Sequence, residues 1–371
     1  MKNARDLLLT NAGRPAGLVL LAVFLFAPAV PRAATIAVAP GDDLQAKIDG
    51  AAGGDVLLLA TGTYRGFRIA NRHFTPARPL VIKAAPGARP LILGNNYAGY
   101  LGHLSDSSYL VFDGLTLENS NQPFYCTSID HCLFLNLEIH NTGQEAIHLR
   151  GASHDIDIRN CRIYDTGHYR DQWCEGIYIG MGQPPFEAVE NVWIEGNDIH
   201  HTGHAEGINL KARSTHITIR GNRVHDLTPG TATQHNEAGI SCEAADLTFR
   251  PGVDPDIWIE RNEVYNVRFG RWANGIQAST MGAKIVHNHI HDCQQYGIEF
   301  NDYLNGPGAC PNWLYGNTIA DCAAGAVNPT TLPYQNADPG LNPNRPQTWY
   351  ASESDVVYAK PLVERLLASL N

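Results

Sequence analysis

The sequence predicts a parallel β-helix, one solenoid of short strands stacked coil on coil, and three observations carry that expectation. A segment of Ile or Val, then an aromatic or histidine, then an acid or amide recurs as "IHNTG" (139), "IYDTG" (163), "IHHTG" (199), "VHDLT" (224), "VYNVR" (264), "IHDCQ" (290) and "IADCA" (319), at intervals of 24, 36, 25, 40, 26 and 29 residues. A second motif interleaves with it: "EAIHLR" (145), "EGIYIG" (175), "EGINLK" (206), "AGISCE" (238), "NGIQAS" (274), "YGIEFN" (296) and "AGAVNP" (324). Ahead of the first motif lie alternating runs such as "HDIDIRNCRI" and "THITIRGNRV", the period-two, β-branched signature of strands. Repeats of this length hold two or three strands of about four residues and leave no room for a helix. One such unit cannot bury its apolar face, so coils must stack, with strands pairing in parallel from rung to rung.

Taken in chain order, each segment has a place in that solenoid. Residues 1–34 read as an export signal: Lys2 and Arg5 precede the apolar run "GLVLLAVFLFAPAV" (17 to 30), too short for a membrane span, with small residues at Ala33 and Ala34 for cleavage. The mature protein then carries no membrane span and is secreted or periplasmic. "PGDDLQAKIDGAAGGDVLLLATGTY" (40 to 64) opens with a helical pattern, Leu44, Ile48 and Ala51/Ala52, followed by a strand, as an N-terminal cap requires. The solenoid runs over 35–327. In its coils Asn197, Asn222, Asn262, Asn288 and Asn317 share one position, where asparagine tolerates the left-handed conformation of a tight bend. A Pro- and Asn-rich extension with a terminal helix, "KPLVERLLASL" (360 to 370), makes an irregular C-terminal cap over 328–371. With 371 residues, 44% hydrophobic and 17% charged, this is one large domain and not a disordered chain.

Charge and cysteines set limits on function. A formal net charge of −10 excludes a general nucleic-acid binder, whose affinity rests on clustered Lys and Arg. It does not exclude an acidic polysaccharide, because a groove can be locally positive on an acidic body. Eight cysteines with no CxxC pair suit an oxidising compartment and argue against structural zinc. Cys293 and Cys322 share an offset in consecutive coils, about 5 Å apart at rung spacing, which fits either a disulfide or an apolar thiol stack. Cys126 and Cys132 could close a small loop.

The cap followed by "TGTYRG", "RPLVIKAAPGARPLILG" and "SYLVFDGLTLENS", and then the repeated coils, resembles the pectate lyase-like superfamily of right-handed parallel β-helix proteins over about residues 36 to 325. The opening portion is similar to polysaccharide lyases of the chondroitinase B and alginate lyase group and to pectate lyases with a lysine base. That resemblance implies a right-handed solenoid and a substrate groove along the "GI" strands. The scaffold also carries hydrolases, epimerases and non-catalytic proteins, so it does not fix the chemistry.

With each Ile of "GI" turned inward, the following residues form an outward ladder: His148, Tyr178, Asn209, Ser241, Gln277, Glu299. Two positions on, the ladder reads Arg150, Gly180, Lys211, Glu243. His148, Tyr178, Asn209, Glu243, Gln277 and Glu299 are therefore the candidate substrate-binding residues. A lyase must remove a proton α to a carboxylate, which demands a base and a cation or strong donors for the anion that develops. Lys211 in "NLKA" stands where the resembled lyases carry their lysine. Arg213, and Arg150 about 10 Å away, could lower its pKa. His204 and His235, in loops just before two groove strands, are candidates for the second proton transfer. Where the lyase group brings an arginine and a histidine on the next coil, this chain has "EAGISCEAADL". The paired aspartates of polygalacturonase-type hydrolases are replaced by Cys174-Glu175 and Ala205-Glu206. Glu145, Glu175 and Glu206 precede successive "GI" strands, so they could bind Ca²⁺, act as paired carboxylates in hydrolysis, or cap strand ends. The reading that follows is an exported, monomeric lyase that cleaves a uronic-acid polysaccharide by β-elimination. A glycoside hydrolase, a uronate epimerase or a non-catalytic carbohydrate-binding or surface β-helix is the alternative.

Overall fold

The structure, a computed structural model, describes residues 32–168, 173–203, 205–227, 238–242, 255–268, 272–278, 282–300, 312–328 and 334–336. The expected export signal and C-terminal helix lie outside them. From Ala33 onward the chain winds as a right-handed parallel β-helix, and every pairing between named strands is parallel. Three runs of strands stack along it. The first holds the "GI" strands: Phe67–His73, Tyr100–Ser108, Gln122–Leu135, Ile147–Arg150, Ile177–Ile179, Ile208–Leu210, Ile240–Cys242, Ile276–Ala278, Tyr296–Phe300 and Gly325–Val327. The second begins at Thr35–Val38 and includes His154–Arg159 and Thr215–Arg220; it joins the first into one sheet through the long strand Gln122–Leu135. The third runs from Gly62–Tyr64 to Thr318–Ala320 and forms a separate sheet.

Isoleucines fill the interior in register. Ile147, Ile177, Ile208, Ile240, Ile276 and Ile298 pair rung to rung, and none is exposed to solvent. Burial of each contributes about 1.5–3 kcal/mol. The glycine before five of these six, all but Ile147, has a steric cause. A Cβ on Gly207 would lie 2.3 Å from Val224 Cγ1 of the third sheet and 2.9 Å from the Gly239 carbonyl oxygen, so the third sheet closes on the first only where that side chain is missing. At the N-terminal end wider coils take phenylalanine instead, and Phe67, Phe112, Phe124 and Phe134 pack with ring centroids 5.0 to 6.4 Å apart. The helix Leu44–Gly50 closes this end, with Leu44 and Ile48 turned inward and Asp43 capping the Ala46 amide.

One expectation about the coils needs correction, and of the two arrangements left open for Cys293 and Cys322 the structure has the thiol contact. The asparagine ladder is not left-handed. The residues just before it are, namely Gly196, Gly221, Arg261, His287 and Gly316. The asparagines themselves are buried. Asn222 Nδ2 donates to the Ile194 carbonyl, and its Oδ1 accepts from the backbone and side-chain amides of Asn197. The same bonds repeat at Asn262 and Asn288. At this inward corner the backbone turns away from its own ladder, and the amides replace the lost bonds. The cysteines are not paired as disulfides among the described residues. Cys126 and Cys132 are free thiols in the core, acting as small apolar side chains, and Cys293 and Cys322 meet as hydrogen-bonded thiols.

Candidate active site

The outward ladder of the first sheet is in the expected register, and it starts earlier than the "GI" motif. Its rungs run Arg68, His103, Tyr125, His148, Tyr178, Asn209, Ser241, Gln277, Glu299. The first three residues, with Tyr100, escape a search for repeats because "FR", "GH" and "FY" stand where later coils have Gly-Ile followed by a polar residue. Their rings make a continuous surface. Tyr100 stacks on Tyr125 at 4.5 Å, and His148 meets Tyr125 and Tyr178 edge-on at 5.6 and 4.6 Å. Around Arg65, Arg68, Asn95, Tyr100 and His103 the surface opens into a depression of about 580 Å³. Burial, and then the Arg68 charge, lowers the His103 pKa, so that ring is neutral at neutral pH.

Further along, the ladder is enclosed rather than solvent-facing as the sequence implied. His148, Tyr178, Asn209 and Ser241 are all buried. His148 lies between the two tyrosine rings with Nε2 3.3 Å from the Gly180 carbonyl oxygen, and Nδ1 faces Gln122 at 3.3 Å and Glu145 at 3.7 Å. Burial drives its pKa down to about 3, with the Gly180 contact opposing and the Arg150 charge assisting. Glu145, 4% exposed, accepts a 2.5 Å hydrogen bond from Gln122 Nε2. Burial pushes its pKa up to about 7, against its hydrogen bonds and the charges of Arg150 and Lys211. A carboxyl that exchanges its proton near neutrality thus sits in the field of two cations.

Lys211 follows the strand Ile208–Leu210 and keeps the rung, its amide donating to the Ile179 carbonyl at 2.8 Å. Gly180 occupies the same column one coil earlier, where a Cβ would stand 3.3 Å from Lys211 Cβ. That gap, with Gly182, lets the lysine stem fold back, and Nζ lies 5.2 Å from the centre of the Tyr178 ring. The Tyr178 hydroxyl accepts from the Gly182 amide at 3.1 Å. Arg150 is held on three sides. Its guanidinium meets Glu187 at 2.8 and 3.3 Å, donates to the Tyr125 hydroxyl and covers that ring. Burial disfavours its charge, but the Glu187 and Tyr125 contacts outweigh that and keep its pKa above the ordinary value. Arg213 turns to the neighbouring loop, donating to the Phe186 carbonyl at 3.4 Å beside the Glu187 that Arg150 grips.

The remaining expected residues divide clearly. His204, His235 and Glu243 lie outside the described residues. Gln277 and Glu299 continue the ladder, and Glu299 accepts from Asn274. Backbone bonds from Ala146 to Glu175 and from Gly176 to Glu206 stack Glu145, Glu175 and Glu206 on successive coils. Their side chains take separate partners: Gln122 for Glu145 and Asn209, at 3.4 Å, for Glu175. The groups of three metal-ligating side chains that converge among the described residues lie elsewhere, at His131/His154/Asp155 and at Glu263/His289/His291. The site as described sets aromatic faces beside Arg150 and Lys211 and beside Glu145, a carboxyl able to exchange its proton near neutrality. Sequence reasoning missed Glu187 and Gln122, which lie in segments with no repeat signature.

Residues 99–250 match the family model described as "Right handed beta helix region". Among solved structures, an alginate lyase from Paenibacillus sp. str. FPU-7 superposes with a TM-score of 0.67 at 22% identity, covering 79% of this chain and 97% of that one. The pectate lyase Pel9A gives 0.65 at 15% identity over 89% and 84%. A GH136 lacto-N-biosidase from Eubacterium ramulus gives 0.51 at 15% identity over 82% and 68%. No curated protein matches. The chain has a right-handed parallel β-helix fold, which these lyases and this glycosidase share.

Proposed function

We propose that this chain is an exported polysaccharide lyase that cleaves a uronic-acid-containing polysaccharide by β-elimination, with Lys211 as the base. The observation that carries this reading is the meeting of Lys211, Arg150, Tyr178 and His148 at one point of an aromatic ladder, with Lys211 and Arg150 both close enough to act on the Glu145 carboxyl. In the proposed reaction the uronate carboxylate pairs with Arg150, which offsets the charge that develops on the carboxylate side. Neutral Lys211 takes the proton at C5, the C5–H electron pair forms the C4=C5 double bond, and the C4–O bond breaks. The leaving oxygen takes its proton from the ammonium just formed. The Tyr178 ring lies against the amine, with Nζ 5.2 Å from its centre. The likeness to alginate and pectate lyases supports this choice among the chemistries known on the fold.

A second reading, hydrolysis, rests on Glu145. A carboxyl with its pKa near 7 is suited to general-acid work on a glycosidic oxygen. The same buried group, half protonated at neutrality and bound to Gln122, is a weak partner for Ca²⁺, so the proposed calcium role would fall mainly on Glu175 and Glu206. Incubation of the purified protein with pectate, alginate, glucuronan and chondroitin, with and without Ca²⁺, decides between these. Unsaturated uronate products support the lyase. Reducing ends without unsaturation support the hydrolase, and altered uronate stereochemistry without cleavage supports an epimerase. Binding with no reaction leaves a carbohydrate-binding β-helix.

A further inference from the structure

We propose that Glu263, His289 and His291, on the third sheet and apart from the candidate active site, form a binding site for a divalent transition-metal ion such as Zn²⁺. His289 and His291 flank the inward Ile290 on the strand His289–His291, so both rings stand on the outer face, and Glu263 pairs with His289 from the preceding coil. One ligand atom from each of the three lies within 4.8 Å of the others. Glu263 Oε1 and His289 Nδ1 stand 3.8 Å apart, too far for a hydrogen bond. Two ligands of a tetrahedral zinc ion, with bonds of about 2.0–2.2 Å, sit roughly 3.4 Å apart, so a small side-chain rotation closes the site. Earlier in the same two columns, Asp198 and His225 make direct contact at 2.9 Å and leave no such gap.

Each ligand is already oriented by its other side. Arg223 Nε holds Glu263 Oε2 at 3.1 Å. Asp292 takes His291 Nδ1 at 2.8 Å, which leaves Nε2 for a metal, and Tyr265 fixes the ring plane by stacking at 4.9 Å. A carboxylate behind a histidine is the usual support of a zinc ligand. The His289 side chain is 52% exposed, so an ion can enter and water can complete its coordination. Two imidazoles and one carboxylate suit zinc, copper or nickel over calcium or magnesium.

The plain alternative is charge balance. The outer column reads Glu138, Arg162, Asp198, Arg223, Glu263, His289, alternating in sign, and His289 falls where arginine recurs. Arginine can only neutralise, whereas histidine can ligate, and this is the rung that places a second histidine two residues on. At His131/His154/Asp155 the carboxylate is already occupied by His154 and Asn191, which makes that group a control.

The test is calorimetric titration of Zn²⁺ into the full chain, purified without a polyhistidine tag. The expected result is one saturable site, weakened at least about tenfold by His289→Gln and by His291→Ala, about tenfold by Asp292→Asn, and unchanged in His154→Ala. Zn²⁺ should also raise the thermal midpoint of the wild type and not that of His289→Gln, which keeps the readout valid if His291→Ala folds poorly. The proposal is overturned by a wild type without saturable Zn²⁺ binding. It is equally overturned if His289→Gln retains the affinity or His154→Ala abolishes it.

Discussion

Two faces of this solenoid carry ladders of rings, and they differ in order. On the third sheet His140, Tyr164, His200, His225, Tyr265 and His291 stack face to face, with centroids 4.8 to 5.1 Å apart and most planes within 10° of parallel. Charges of alternating sign line their flank, and Asp198, Asp226 and Asp292 accept from the rings. On the first sheet stacking gives way to edge-on contacts at His148, Gly180 breaks the column that holds Arg150 and Lys211, a carboxyl is buried beside a neutral histidine, and two cations lean toward it. Regular stacking beside a column of alternating charge is what repetition alone produces. The broken column is where the chain accepts unfavourable burial, and such places mark chemistry more often than structure.

The comparison can be broken at either face. After removal of the base itself, the largest expected effect is Arg150→Ala, which should lower turnover of a uronate substrate by about 10²–10³-fold, as loss of a charge-stabilising donor does. An equal loss from His225→Ala on the other face would erase the functional distinction. Next comes the inner corner. Asn222→Ala leaves the Ile194 carbonyl and the Asn197 amide without partners and should cost about 2–4 kcal/mol in denaturant unfolding.

The third prediction concerns pH. Glu145 has its pKa raised in the fold to about 7 from 4.5, so the unfolded chain releases this proton first, and stability falls as pH rises through that interval. His148 is lowered to about 3 from 6.5, so it withdraws stability as pH falls from 6.5 toward 3. Glu145→Gln should therefore stabilise the fold by up to about 3 kcal/mol above pH 7 and leave it unchanged near pH 4, as measured by denaturant midpoints across pH. A gain independent of pH would show that burial does not shift this carboxyl. The smallest effect on activity is that of His225→Ala, which leaves turnover intact while the loss of two stacking contacts and of the hydrogen bonds to Asp198 and Asp226 costs about 1–4 kcal/mol of stability.

The fold was legible because each coil repeats one physical demand. The inward Ile and the Asn of each corner recur visibly, and from Gly176 onward the glycine before the Ile recurs because a third-sheet side chain fills its place. The site was only partly legible. Lys211 and the ladder from His148 to Glu299 follow from register alone, since a period of two decides which side chains share a face. Arg68, His103 and Tyr125 were missed because bulky Phe67 and Phe124 replace the isoleucines there and hide the alignment. Glu187 and Gln122 act through contacts 37 and 23 residues apart in sequence, which no local pattern encodes. The asparagines were assigned a bend that their neighbours make, because composition cannot say which of two adjacent residues turns.

The central claim is that the first-sheet ladder is the reactive face and Lys211 its base. The most direct measurement is the initial rate of unsaturated uronate formation, by ultraviolet absorbance, for the wild type, Lys211→Ala and His225→Ala side by side, each checked to be fully folded at the assay temperature. The account predicts a loss of about 10²–10⁴-fold for Lys211→Ala and none for His225→Ala. Product formation at the wild-type rate by Lys211→Ala would contradict it.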